Sequence, residues 1–208
     1  MPARGPSFND CVFLNCPIDS DYWPIFEAIV FSVIDSRFVP RSALEEADSG
    51  EVRLHKIFRL IQQCRYAIHD LSRIEFSEDT ALPRFNMPFE LGLDLGCREY
   101  GQRELKRKRC LILEAKPYRY RAFLSDISGQ DIRSHNSSPD QAITVVRNWL
   151  ATTSRRKRVP GPKAIRRRFA GFAAALPTLC EEAQLDRHDV QFVEYVTLAE
   201  EWIKTAPE

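Results

Sequence analysis

Short apolar runs alternating with stretches of helical periodicity constrain this chain most. Cys11-Val12-Phe13-Leu14-Asn15 is apolar and β-rich, and the turn-forming Cys16-Pro17-Ile18-Asp19 follows it. Such a run reads as a buried strand ending in a loop. From Tyr22 to Asp35 the period changes. Trp23, Phe26, Val30 and Val33 fall near one helical face, which Ile25, Ile29 and Ile34 widen. Phe38-Val39-Pro40-Arg41 reads as a short strand whose proline places it near an edge. Leu54, Ile57, Ile61 and Cys64 then repeat at helical spacing, and Tyr66 to Ser72 is a third strand with its exit. Asn86-Met87-Pro88-Phe89-Glu90-Leu91-Gly92 opens another helix, with Asn86 as its N-cap and Pro88 in a first turn that tolerates proline. Cys110 to Glu114 is the clearest strand. A shorter one near Asp131-Ile132-Arg133 and a helix from about Asp140 to Leu150 complete the unit.

Strands that alternate with helices imply right-handed βαβ crossovers, hence a mainly parallel sheet of about five strands covered on both faces. Ligands of such sheets bind beyond the carboxyl ends of the strands. The functional candidates are therefore the strand-exit residues: Asn15 to Asp19, Arg41, Asp70 to Ser72, and the segment leading to Asn86 and Glu90.

Composition narrows the classes. With 30 Lys+Arg against 29 Asp+Glu, the net charge of +1 argues against a generic nucleic-acid coat. No apolar run approaches the roughly 18–20 residues that span a bilayer. The N-terminus has no apolar signal core, so a cytoplasmic protein is expected. The six cysteines form no C-x-x-C, and most sit in apolar runs, as reduced core residues do. The four histidines are scattered, and no metal site is expected. After Thr153 the chain turns basic and turn-rich, Ser154-Arg155-Arg156-Lys157-Arg158-Val159-Pro160-Gly161-Pro162. Residues 1–153 thus read as the α/β unit. Residues 154–208 read as a basic linker and a C-terminal helical pair: Ile165, Phe169, Phe172 and Leu176 up to Pro177, then Phe192, Val196, Ala199 and Ile203. That pair is expected to pack on the sheet domain, with a second subunit as the alternative cover.

The chain has no Walker lysine loop, no G-x-G-x-x-G and no G-x-S-x-G elbow. What remains is a polar set at strand ends, in which Glu90 is the sharpest member. In the first turn of a helix its carboxylate can face the crevice, and the helix dipole favours its charged form. There it can stabilise or attack an oxocarbenium-like ribosyl centre. The bland alternative is a glutamate that only complements the dipole, beside glycines, Gly92 and Gly96, that only pack.

Ile68-His69-Asp70-Leu71-Ser72 and Asn86-Met87-Pro88-Phe89-Glu90-Leu91-Gly92 resemble the strand-exit "ADLT" and "NxxxELG" elements of TIR-like predicted nucleotide-binding proteins and nucleoside 2-deoxyribosyltransferases. Val12-Phe13-Leu14-Asn15-Cys16-Pro17-Ile18-Asp19 is similar to their first strand and "PFD"-type exit. The resemblance covers roughly residues 10–150. It implies a flavodoxin-like three-layer α/β sandwich and cleavage of N-glycosidic bonds in nucleosides, nucleotides or NAD. By the same resemblance Glu90 would be the catalytic carboxylate and Asp70 a ligand-orienting partner. His69 and Ile18 depart from the pattern, and the loop from Arg73 to Arg84 is longer than common.

Asn15, Asp19, Tyr22, Arg41, Ser72 and Asn86 are the candidate substrate-binding residues. No cofactor is expected beyond NAD or a nucleotide as substrate. Nicotinamide leaves NAD from a cationic ring without a general acid, whereas a neutral base must be protonated or hydrogen-bonded, with Asp70 and His69 as possible donors. His69 points opposite to Asp70 if both lie in the strand, and reads as a packed core histidine. Arg53 reads first as a solvated helix residue, Trp23 as core or lid, and the two basic runs, Arg155 to Arg158 and Arg166 to Arg168, as a solvated linker and helix face rather than a nucleic-acid site. The resemblance further implies a role in bacterial immunity or signalling and action in a homo-oligomer or with a protein partner. The competing reading is a non-catalytic nucleotide sensor or adaptor on the same fold.

Overall fold

The computed structural model describes residues 5–46, 48–73 and 85–205. The strands are β1 (Cys11–Asn15), β2 (Val39–Arg41), β3 (Tyr66–Asp70), β4 (Arg109–Glu114) and β5 (Arg133–Ser134). They form one all-parallel sheet in the order β2-β1-β3-β4-β5. The helices are α1 (Trp23–Asp35), α2 (Arg53–Gln63), α3 (Asn86–Tyr100), α4 (Pro139–Ser154), α5 (Pro162–Glu182) and α6 (Phe192–Thr205). This is the flavodoxin-like α/β fold with C-terminal helices. No described helix is long and apolar enough to cross a membrane.

Strand period sorts the core. Val12, Leu14, Tyr66, Ile68, Leu111 and Leu113 pack with α1 and α4, whereas Cys11, Phe13 and Ala67 pack with α2. Ile112 joins Leu71 and Leu91 of α3 on that second side. The helix α1 is buried from Ile25 to Asp35 because it is covered twice, by the sheet below and by the C-terminal helices above. Phe31 stacks on Phe172 at 5.3 Å and also meets Phe169 and Trp202. Arg168 bonds Asp35 at 2.6 Å, and Arg187 bonds Glu27 at 2.6 Å. The described residues from 154 to 205 thus share one continuous core with the sheet domain. Arg156 of the basic linker pairs with Asp10 and lies over the Phe38 ring.

Three local expectations are corrected. Pro177 does not end its helix, which runs on to Glu182. Pro177 is exposed, so the carbonyl that loses its partner can turn to water while Leu176 and Cys180 stay buried. The last strand is Arg133–Ser134, not Asp131–Arg133, and it is only two residues long. Asn86 lies inside α3 rather than capping it, since the N-cap is Phe85 and no side chain caps that end.

Candidate functional site

In the order β2-β1-β3-β4-β5 the chain leaves β1 and β3 in opposite directions, so a crevice opens between their carboxyl ends. Pairing of Asn15 with His69 sets the register there. The pleat then sends Asn15 and His69 toward α3, and Asp70 toward α1 and α4. Two separate polar networks result.

On the α3 side, Asn15 Nδ2 donates to His69 Nδ1 at 3.0 Å and to the Met87 carbonyl at 3.0 Å. With Nδ1 accepting, the His69 proton sits on Nε2, which donates to Asp94 Oδ2 at 3.2 Å. Lys108, buried at the foot of β4, holds Asp94 Oδ1 at 2.9 Å and donates to the Ile61 carbonyl at 2.7 Å. Burial would raise Asp94, but its contacts with His69 and Lys108 outweigh that and hold it below the usual carboxylate range. His69 is fully buried, as expected of a core histidine. Asn15 here ties the first turn of α3 to the sheet.

Glu90 is the fifth residue of α3, just past that anchored turn rather than in the first turn where the sequence placed it, and one helical turn before Asp94. It is 5% exposed. The other buried carboxylates all have partners: Glu27 has Arg187 and Trp23, Asp35 has Arg168, Asp94 has Lys108 and His69, and Glu114 has Arg119. Asp70 is held by Tyr22 and His135. Glu90 alone among them makes no hydrogen bond or ion pair with the described residues, and its carboxylate oxygens are not fully enclosed. Burial pushes its pKa up to about 7, against the pull of the Arg53 charge. Arg53, at the start of α2, is thus close enough to be felt. Cys16, at the exit of β1, senses both Asp70 and Glu90 and is raised mainly by its own burial.

On the opposite side Asp70 is fully buried. Its Oδ1 accepts from the Ser72 backbone N–H at 2.8 Å. Its Oδ2 accepts from the Tyr22 hydroxyl at 2.6 Å and faces His135 Nε2 at 3.0 Å. Burial alone would raise it, yet these partners keep it low. Tyr22 is raised, by burial first and then by the Asp70 charge. His135 was not singled out by the sequence. It follows β5 and is a strand-exit residue only once that strand is placed correctly. Ser72, His135 and Asp70 bring together the three residue types of a hydrolytic triad, but not its geometry. His135 Nε2 faces both Asp70 Oδ2 and Ser72 Oγ, the latter at 2.9 Å, while Nδ1 accepts the Ser137 N–H at 3.1 Å. A triad needs the two partners on opposite ring nitrogens. Asp70 therefore organises the floor of the edge through Tyr22, Ser72 and His135.

The other candidates divide. Asp19 accepts from the Tyr22 N–H at 3.0 Å and from Arg73 at 3.0 Å, so it shapes the entry to α1. Asn86 is exposed on the first turn of α3. Arg41 does not join the set. It bonds Glu45 at 2.8 Å, senses Cys11 and Cys64, and lines a cleft with Gly5, Phe8 and Gln62. The loop from Arg73 to Arg84 lies outside the described residues beyond Arg73. Two cavities open at the carboxyl edge. One of about 280 Å³ is lined by Tyr22, Ser72, Arg73, Lys116, Arg119 and His135, among others. The second, of about 580 Å³, lies between Ile18, Trp23 and Leu44 and the α5–α6 loop. Glu90 is on the wall of neither. No family model, no curated protein and no solved structure matches this chain.

Proposed function

We propose that the chain binds a nucleotide at the carboxyl edge of its sheet and cleaves the N-glycosidic bond, with NAD, a nucleotide or a nucleoside as substrate. The observation that carries this reading is Glu90: a buried carboxylate without a partner among the described residues, at the switch point, with its pKa near 7. Structural carboxylates in this chain are paired, and an unpaired one has an energetic cost that a reaction can justify. Its ionised form would face the ribosyl C1′. The bond from C1′ to the base nitrogen breaks with its electron pair leaving on the base. Water, or Glu90 and then water, forms the new bond to C1′, and its proton goes to solvent when nicotinamide leaves NAD or to the base nitrogen when a neutral base leaves. Asn15 would fix the helix that carries Glu90, and Tyr22 and Ser72 would line the approach. Action in a homo-oligomer or with a protein partner, within bacterial immunity or signalling, belongs to the same proposal.

One observation favours a second reading. The two cavities at this edge are lined by Tyr22, Ser72 and His135 or by Trp23, not by Glu90. A sensor that binds a nucleotide without cleaving it needs only those walls. Incubation with NAD and a panel of nucleosides and nucleotides, with chromatography of products, separates the two. Base release that Glu90→Gln abolishes supports the enzyme, and binding without release supports the sensor.

A further inference from the structure

We infer that the 280 Å³ cavity is an anion subsite that takes a phosphate group, and, resting on the nucleotide reading above, that the ligand is a phosphorylated nucleotide rather than a free nucleoside. The cavity lies where β3, β4 and β5 end and where α1 and α4 begin. Three cationic side chains, Arg73, Lys116 and Arg119, share its wall with one acidic residue, Asp21. Arg73 is held by Asp19 and Asp21, and Arg119 by the buried Glu114. Lys116 is exposed and makes no ion pair or hydrogen bond among the described residues.

The hydrogen-bond inventory supplies a second, independent pointer. Since His135 Nδ1 accepts the Ser137 N–H, its proton is on Nε2, facing Asp70 Oδ2 and Ser72 Oγ. Ser72 therefore cannot donate to His135. A hydroxyl more than nine-tenths buried on the cavity wall is left with its own hydrogen undirected by any described residue. A phosphate oxygen is the acceptor that position lacks. Ser137 lines the same wall. It and Asn136 both hold left-handed backbone, at φ 53° and 50°. Non-glycine residues adopt that region at a cost, and such strain gathers at ligand clamps. The positive ends of α1 and α4 add to the field, although Pro24 and Pro139 remove backbone donors there. Size agrees, since the volume is at the small end for a ligand pocket and suits a phosphoryl group with its ribose end rather than a whole dinucleotide.

The test is calorimetric titration of the full chain with inorganic phosphate, adenosine 5′-monophosphate and adenosine. Lys116→Glu alters an exposed side chain and spares the core, and Ser72→Ala removes the buried donor. Phosphate and the monophosphate are expected to bind wild type and to weaken at least about tenfold in Lys116→Glu, with adenosine unaffected. Ser72→Ala should weaken the same two ligands, and Glu90→Gln should leave their affinity unchanged. Absent phosphate binding, or affinity unchanged in Lys116→Glu, overturns the subsite. The monophosphate binding no tighter than phosphate overturns the nucleotide assignment while leaving an anion site. Phosphate binding without turnover of any nucleotide instead removes the glycosidase reading and leaves the subsite standing.

Discussion

Asn15 and His69 end their facing segments of β1 and β3 as register partners, and the Asn15 amide joins them at 3.0 Å while reaching the Met87 carbonyl. One side chain thereby locks the switch point and the helix that carries Glu90. Asn15→Ala would leave the buried His69 Nδ1 without its donor and cut the tie to the Met87 carbonyl. Unsatisfied buried groups cost roughly 1–3 kcal/mol each. The variant should unfold at lower denaturant with an unchanged slope. A midpoint equal to wild type would show that the amide bridge does not hold α3.

Asp94 and Lys108 form a buried pair beneath the same helix. Asp94→Asn leaves an uncompensated ammonium in the core, and breaking one partner of a buried pair costs about 3–5 kcal/mol. Adding Lys108→Met should recover much of that loss. Thermal melting of the two variants checks it, and a double variant no better than the single one argues that Asp94 stabilises through His69 instead.

Glu90 should make stability fall as pH rises. Its folded pKa, about 7, lies above the usual carboxylate value, so the folded chain holds the proton longer than the unfolded chain. Stability is then greatest below the unfolded value and declines through the window from about 4.5 to 7. The decline is on the order of 3 kcal/mol. Glu90→Gln should be nearly neutral at pH 5 and stabilising at pH 8. Equal effects at both pH values would show a carboxylate that is solvated or paired.

The C-terminal helices cover α1 through Phe169, Phe172, Phe192 and Trp202. Truncation after Arg158 would expose Phe31 and Phe26, and each large side chain returned to water costs about 1.5–3 kcal/mol. The product should melt far lower or aggregate. A soluble truncated chain with an unchanged melting temperature contradicts the shared core.

Most of the fold was legible because period and burial coincide. The runs at Cys11, Tyr66 and Cys110 are apolar on both faces, as strands of a covered parallel sheet must be. Boundaries failed where the local signal was weak. Two residues of β5 cannot show alternation, and Pro177 breaks a helix only where the lost bond is buried. The site was legible as a set of strand exits, but the structure divides that set: Asp70, Tyr22 and Ser72 form one network, Asn15 belongs to another toward α3, and Glu90 lines neither cavity. Their roles were not legible, because partners come from distant segments. His135 and Lys116 sit beyond β5 and β4, and only the fold brings them to Ser72. Arg41 failed for the opposite reason: its strand ends at the edge, but its side chain turns to Glu45.

The central claim is that Glu90 acts on the glycosidic bond. Initial rates of base release from NAD and from a nucleotide panel, for wild type and Glu90→Gln matched in melting profile and ligand affinity, test it most directly. The account predicts release by wild type that falls at least about a hundredfold in the variant, with binding intact. Release that persists in Glu90→Gln at the wild-type rate would contradict it.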